Sequence, residues 1–397
     1  MVRSIRSGIF LALWLPLFLY LVMPLVQNNN NNNKERDDEA ILPTMFRKQR
    51  QREREHDQPT KGMAPVQSRT ERHDEVPSNV SSATWYVVDT GSTKNIGQHE
   101  SCFVMANHVG KAYLIGGRRS GPVCEYDPVL RHWDCNRAKM PYKKLHHMTC
   151  LSVGEDDDIY VVAAWTGEFP REDLVPELLV YHTKTDAWSH RTGMPVHRRR
   201  AAAAAVYDPV AHSIYVSHGN NGGHFQHSHS LTWLDRYDVT TDTWYPLADA
   251  IVARDHTGAA LIDGGDWMCV AGGRNGRATE DVIPESECYH IPNNTWEIRS
   301  PIPVGRGGSA YGTSCDGKLL IVAGGESGRA HTAHDEVSAF DGYHWHEYPK
   351  LKRGRHGTGL AVDCVRREMY IAGGSPRPGG PRDNGGLQIT EHFGGLR

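Results

Sequence analysis

Net charge is nearly absent from this chain: 44 lysines and arginines stand against 47 aspartates and glutamates, leaving −3 at neutral pH. A surface without a dominant sign has no field to gather phosphates, so nucleic acid is excluded as a partner. The chain also lacks any Gly-x-Ser-x-Gly stretch, which excludes the nucleophile elbow of the α/β-hydrolases; the Glu-Ser-Gly of Glu326–Gly328 is no substitute. No other catalytic motif is visible, and no cofactor is expected.

Charge is missing altogether from residues 9–26, IFLALWLPLFLYLVMPLV. The run reaches the threshold length for a membrane-spanning helix, and Pro16 and Pro24 are tolerated in such a segment. A cleaved signal peptide, which would make the protein secreted, needs small residues before the cleavage point, and Met23–Gln27 offers none. Arg3 and Arg6 precede the run, so the positive-inside rule leaves residues 1–8 in the cytosol. The expectation is an uncleaved signal anchor at 9–26 in a single-pass type II protein of the secretory pathway or cell surface.

Apolar residues are few in 27–82, which opens with six asparagines and then mixes both charge signs with proline. Too little hydrophobic burial is on offer to offset backbone ordering, so this reads as a disordered stem. It is also too short for a BTB or F-box domain, which disfavours a cytosolic ubiquitin-ligase adaptor.

What the remainder has in abundance is repetition. Trp85, Trp133, Trp188, Trp244, Trp296 and Trp345 are each followed, before the next of the six, by an apolar run ending at or near a glycine pair or the pair in its place. The pairs are Gly116-Gly117, Ala163-Ala164, His218-Gly219, Gly272-Gly273, Gly324-Gly325 and Gly373-Gly374. They recur with a period of roughly 50 residues, within the range of repeat architectures. The clearest copies read MCVAGGRNG (Met268–Gly276), LIVAGGESG (Leu320–Gly328) and MYIAGGSPR (Met369–Arg377). Aromatic pairs seven apart follow: Tyr126/Trp133, Tyr181/Trp188, Tyr237/Trp244 and Tyr289/Trp296, with Phe340/Trp345 shortened. Turn residues lie between the partners, so each pair should meet across a hairpin.

This pattern closely resembles the kelch repeat, over about 315 of the 397 residues, 83–397. The resemblance implies an all-β, six-bladed propeller of four antiparallel strands per blade. Ala163-Ala164 and His218-Gly219 depart from the diglycine. Thr84–Val88 reads as an outer strand and Leu387–Phe393 as a third strand lacking its fourth, so the N-terminal strand should complete the last blade and remove a free edge.

Sequons at Asn79 and Asn293 agree with a lumenal or extracellular setting, as do eight cysteines. The register that sets Tyr126 against Trp133 sets Cys124 against Cys135, a plausible disulfide. Cys269 and Cys288 on consecutive strands are a weaker pair, and the other four cannot be paired from sequence.

At one constant offset before each strand end stand Gln98, Leu145, Arg200, Arg254, Arg306 and Arg355. Guanidinium groups ringing a channel mouth would suit a carboxylate, sulfate or phosphate; alternatively they bond backbone carbonyls of the neighbouring blade and fasten the ring. Loops after the diglycine add Trp165, Asn220, Arg274, Glu326 and Arg329, a set suited to a polar, carbohydrate-like ligand. His224, His227 and His229 form a histidine-rich stretch, but loop spacing fixes no ligand geometry and no metal is expected.

Propellers of this repeat type include sugar mutarotases, copper-radical galactose oxidases and many pure binding platforms. No segment here identifies the oxidase set of a cysteine-crosslinked tyrosine with two histidines. The expectation is therefore a binding module for a protein or a polar, anionic glycan-like ligand at the propeller face. A sugar epimerase or mutarotase is the alternative, in which Glu326 with His256 or His356 would be the acid–base pair.

Overall fold

The computed structural model describes residues 83–88, 96–224, 228–276, 281–328, 330–380 and 386–395, all within the unit Ser68–Arg397. The expected anchor at 9–26, the stem, Asn79, His227 and Arg329 lie outside the described residues. Among those described, no helix is long and apolar enough to cross a membrane.

Six four-stranded antiparallel sheets form the blades of a propeller. Blade 1 is β2 (Ser101–Ala106), β3 (Lys111–Gly116), β4 (Cys124–Asp127) and β5 (His132–Asp134). Blade 2 is β6 (Thr149–Val153), β7 (Asp158–Val162), β10 (Leu178–His182) and β11 (Ala187–Arg191); an extra hairpin, β8 (Trp165–Glu168) with β9 (Arg171–Leu174), leaves after β7. Blade 3 is β12 (Ala204–Asp208), β13 (Ser213–Ser217), β14 (Leu234–Asp238) and β15 (Thr243–Pro246). Blade 4 is β16 (Gly258–Ile262), β17 (Trp267–Ala271), β18 (Ser286–His290) and β19 (Thr295–Arg299). Blade 5 is β20 (Ala310–Thr313), β21 (Leu320–Ala323), β22 (Val337–Phe340) and β23 (Trp345–Tyr348). Blade 6 is β24 (Leu360–Asp363), β25 (Glu368–Ala372), β26 (Thr390–Gly394) and the N-terminal β1 (Trp85–Val88).

The predicted closure is present. Strand β1 pairs with β26, placing Trp85 opposite Phe393 with ring centroids 5.4 Å apart. The chain ends thus rebuild between them the aromatic pair that the other blades carry in one hairpin, such as Tyr126 opposite Trp133 at 5.0 Å and Tyr237 opposite Trp244 at 5.0 Å. Strand β26 begins at Thr390, three positions later than Leu387, where the sequence pattern starts it.

Side chains of one strand alternate between faces, and in the inner strands both faces are buried, each against a different neighbour. In β2, Cys102 packs with Cys150 and Val161 of the second blade, whereas Phe103 packs with Ala361 and Tyr370 of the last. The core is therefore a set of apolar clusters between blades rather than one centre. Disulfides reinforce it: Cys124–Cys135 as expected, Cys269–Cys288 within blade 4, Cys102–Cys150 between blades 1 and 2, and Cys315–Cys364 between blades 5 and 6.

At the first diglycine position every blade adopts the left-handed region: Gly116, Gly272, Gly324 and Gly373 with φ of 65° to 73°, but also Ala163 at 55° and His218 at 60°. A Cβ at Gly324 would stand 2.2 Å from the Arg355 carbonyl. His218 has a compensating contact: its Nε2 reaches Glu287 of blade 4 at 2.9 Å.

Because Trp85 is fully buried, Trp85→Ala should cost about 3–5 kcal/mol. Removing residues 1–90 should lower the melting temperature far more than removing 1–82. Equal melting temperatures of the two truncations would refute closure by β1.

Candidate functional site

The loop that leads into each innermost strand passes close to the propeller axis. Two positions beyond the arginine column lies a second column: Glu100, His147, Ala202, His256, Gly308 and Gly357. All six have positive φ, between 52° and 67°. Their backbones form a ring of hydrogen bonds. The N–H of His147 donates to Glu100 O, Ala202 to His147 O, His256 to Ala202 O, Gly308 to His256 O and Gly357 to Gly308 O, each at 2.8–2.9 Å. The Ser101 N–H closes the circuit on Gly357 O at 3.2 Å.

Five of these six loops are tied to the loop after the diglycine by a two-residue bridge: His146 with Trp165, Ala201 with Asn220, Asp255 with Arg274, Gly307 with Glu326, His356 with Ser375; in blade 1 the Arg118 N–H donates to His99 O at 3.1 Å. That bridge is the reason both loop sets share one face, as the repeat pattern predicts.

The arginine column reaches the expected place but does not offer its guanidinium groups to a ligand. Arg200, Arg254, Arg306 and Arg355 are 0–2 % exposed. Arg200 donates to Asp235 at 2.7 Å and Val216 O at 2.7 Å. Arg254 donates to Glu287 at 2.9 Å and Gly272 O at 3.0 Å. Arg306 donates to Val304 O at 2.9 Å, Ser338 Oγ at 3.2 Å and Val322 O at 3.3 Å. Arg355 donates to Glu391 and to Gly373 O at 2.9 Å. These partners lie in the arginine's own blade. The arginine's backbone serves the preceding one, accepting the second-glycine N–H in Gly219→Arg254, Gly273→Arg306 and Gly325→Arg355. The column is a set of blade-to-blade clamps, and the anion-site expectation is corrected accordingly.

The axial ring instead carries three large polar side chains where glycine is the strain-free choice. Each left-handed non-glycine costs on the order of 1–2 kcal/mol, and such outliers persist where surrounding structure holds them for a purpose. Glu100, His147 and His256 meet at the mouth of a channel of about 480 Å³. His147 Nε2 lies 3.0 Å from Glu100, and the His147 and His256 rings are 4.8 Å apart. A second concavity of about 470 Å³ adjoins, lined by Trp165, Asn220, His224, Asp255, His256 and Arg274 among others.

The mouth is a dense polar network. His256 Nδ1 meets Asp255 at 2.5 Å and its Nε2 accepts from Arg274 at 2.9 Å. Arg274 lies 3.7 Å from Glu326, whose other oxygen is 3.5 Å from His356 Nε2 and accepts the Gly379 N–H at 2.6 Å. Glu326 is thus brought beside His356, and joined to His256 only through Arg274. His224 Nδ1 sits 2.8 Å from Glu172 of the extra hairpin. His229 is exposed on the rim, and the sequon residue Asn293 lies exposed in a turn. Glu100, Glu172 and Asp255 escaped sequence reasoning. For Glu100 and Asp255 the signal was in the columns beside the arginines; Glu172 enters through an insertion with no repeat counterpart.

Burial pushes His99 down to about 4 and His146 down to about 3, and drives His147 and His256 below the ordinary imidazole value. Burial alone would raise Asp255, but the His256 and Arg274 contacts outweigh it and bring the carboxyl to about 2. Glu100 and Glu172 are likewise held at about 2 against burial, Glu100 by the surrounding histidines and Arg118, Glu172 by His224.

The family model of the Attractin/LZTR1 beta-propeller matches residues 66–334. This chain belongs to that family. Among curated relatives of this Attractin/LZTR1-type propeller, Kelch-like protein terF of Aspergillus terreus is 28% identical over 202 residues, covering 49% of this chain and 42% of the relative. Kelch-like protein 35 of Homo sapiens is 29% identical over 177 residues, covering 44% and 27%. The chain therefore spans less than half the length of these relatives. A solved structure titled "Structure of YjhT" superposes with a TM-score of 0.56 over 75% of this chain and 98% of that one, at 15% identity, which shows the shared fold.

Removing a clamp should distinguish its partners. Arg254→Ala takes the guanidinium from the buried Glu287, leaving it His218 and the Ile251 and Val252 N–H groups, and should cost about 3–5 kcal/mol; Arg306→Ala strands neutral acceptors and should cost about 1–3 kcal/mol. Urea unfolding of both variants checks the order, and equal costs would refute the charge-clamp account.

Acid should destabilise the fold from the histidine range downward. Unfolded histidines titrate at about 6.5, whereas folded His99 and His146 stay neutral to about 4 and about 3. Between those limits the unfolded state binds more protons, so stability falls with falling pH by up to about 1.4 kcal/mol per unit for each such histidine. The depressed carboxylates add the same sign below about pH 4.5. Urea midpoints at pH 7 and pH 5 measure this; equal midpoints would mean that the histidines are not held neutral.

Proposed function

We propose that this protein is a binding module of the secretory lumen or cell surface, engaging its partner through the axial loop face. The observation that carries it is the mouth itself, where strained polar residues surround a concavity beside the buried Trp165. Kelch propellers commonly serve as protein-binding modules, and this chain has that architecture. Among the described residues the concavity is lined by one carboxylate, Asp255, against one guanidinium, Arg274, so these charges balance. Balanced, hydrogen-bonding walls suit a neutral hydroxyl-rich group, a sugar or a polar loop of a partner protein, better than a strong anion. All eight cysteines are paired, which supports an oxidising compartment. The uncharged run at 9–26 supports a type II anchor, and Asn293 is available for glycosylation.

A sugar-converting enzyme remains the second reading, favoured by the buried Glu326 beside His356. Its carboxylate is already engaged by Gly379 and Arg274, which suits a fixed binding group better than a mobile proton carrier.

The test is a glycan array and partner capture with the full chain. Arg274→Ala should weaken binding by on the order of 1.5–3 kcal/mol, the range for charged hydrogen bonds, with a smaller effect on folding. Unchanged affinity would refute the mouth as the site, and anomer exchange of a free sugar that Glu326→Gln abolishes would establish the enzyme reading instead. Protease digestion of the propeller in intact microsomes would refute the lumenal orientation.

A further inference from the structure

We infer that the propeller mouth holds a divalent transition metal of the zinc class on His147, His224 and His256. The three imidazoles come from different blades: His147 precedes β6, His224 lies between β13 and β14, and His256 precedes β16. One nitrogen from each ring falls within 4.8 Å of the others. Zinc–nitrogen bonds of about 2.0–2.1 Å set tetrahedral ligands about 3.4 Å apart, so ring shifts of about 1 Å close the set.

A second observation points the same way. Every one of the three rings rests on a carboxylate: His147 Nε2 is 3.0 Å from Glu100, His224 Nδ1 is 2.8 Å from Glu172, and His256 Nδ1 is 2.5 Å from Asp255. Metal-binding histidines are oriented and made more basic by carboxylate partners of this kind. For His224 and His256 the arrangement leaves Nε2 as the lone-pair atom; for His147 it leaves Nδ1, which meets His146 Nδ1 at 2.6 Å and must exchange that contact for the metal. On His256 that lone pair already holds a cation, the Arg274 guanidinium, at 2.9 Å. Arg274 has two carboxylates to fall back on, Asp255 at 3.5 Å and Glu326 at 3.7 Å, if a metal displaces it.

Three nitrogens leave a zinc-class ion an open position, and His224 and His256 both line the concavity. Trp165 packs against all three rings at 4.8–6.0 Å, and its indole N–H has no acceptor among the described residues. That N–H can donate to an oxygen held on the metal. The set differs from the consecutive loop histidines His224, His227 and His229 weighed in the sequence: only His224 belongs to it.

The experiment uses the full chain, stripped with chelator and titrated with zinc sulfate alone, with metal content measured after dialysis. One equivalent should bind and should be lost in His224→Ala, whose loop position spares the core, and in His256→Ala. The exposed His229→Ala should bind normally. Glu172→Gln should keep the stoichiometry and weaken affinity about 10–100-fold, as outer-shell changes do. Arg274→Ala should retain zinc or bind it more tightly, the opposite of its expected effect on partner binding, so failure of either idea is distinguishable. Cobalt substitution gives a reading on the unmutated protein: intense visible absorption marks low-coordinate binding. No bound zinc, zinc unaffected by His224→Ala and His256→Ala, or a weak spectrum like that of hydrated cobalt would each overturn the site.

Discussion

The structure depends on a ring of backbone hydrogen bonds at the axis, passed from Glu100 to His147, Ala202, His256, Gly308 and Gly357 and back at Ser101. Every member must be left-handed, because only then do its N–H and C=O point along the circumference to the loops of neighbouring blades. The innermost strands start just beyond these loops. Their register, the channel between them and the crossing of loops at the mouth follow from this circuit. Closure at the outside, by β1 on β26, is its counterpart at the rim.

Charge is used in two different ways around the ring. The clamps Arg200, Arg254 and Arg355 are buried with Asp235, Glu287 and Glu391, and each also donates to main-chain carbonyls such as Val216 O, Gly272 O and Gly373 O. A buried ion pair of this sort adds little net stability against an apolar substitute, but it allows only one arrangement of its donors. One arginine backbone holds the preceding blade while the side chain holds its own, so each clamp sets the angle between two blades. At the mouth, by contrast, carboxylates and imidazoles outnumber the guanidinium groups among the described residues, and Glu100, His147 and His256 face shared space.

That separation favours the mouth over the scaffold as the proposed binding site. In a family whose repeat supplies nearly identical blades, ligand recognition has to come from where the repeats differ. Here the differences are concentrated. Three ring positions depart from small residues, and blade 2 alone inserts the β8–β9 hairpin that brings in Trp165 and Glu172. In blade 3, the β13–β14 connection brings His224 across to meet Glu172 and the His147 and His256 rings. The asymmetry of the proposed site therefore lies over blades 1 to 4.

The blade architecture was legible in the chain because it rests on local rules repeated six times. Alternating apolar runs make strands, glycine pairs end them, and aromatic pairs such as Tyr289/Trp296 fix each outer hairpin; even the closure of the last blade by the N-terminal strand could be anticipated by counting strands. The Cys124–Cys135 bridge followed from the same register. The roles of the arginines could not be read that way. Their position in the repeat was correct, but whether a guanidinium faces solvent or its own blade depends on partners such as Asp235, Glu287 and Glu391, two strands further along the chain. The mouth was the least legible part, since His147, His224 and His256 belong to three blades and meet only when the ring is closed. Sequence by itself determined the repeating unit, because strand and hairpin periodicities are short-range. Only the tertiary structure decided which side chains share the axis, because that proximity is created by circular closure and leaves no spacing in the chain.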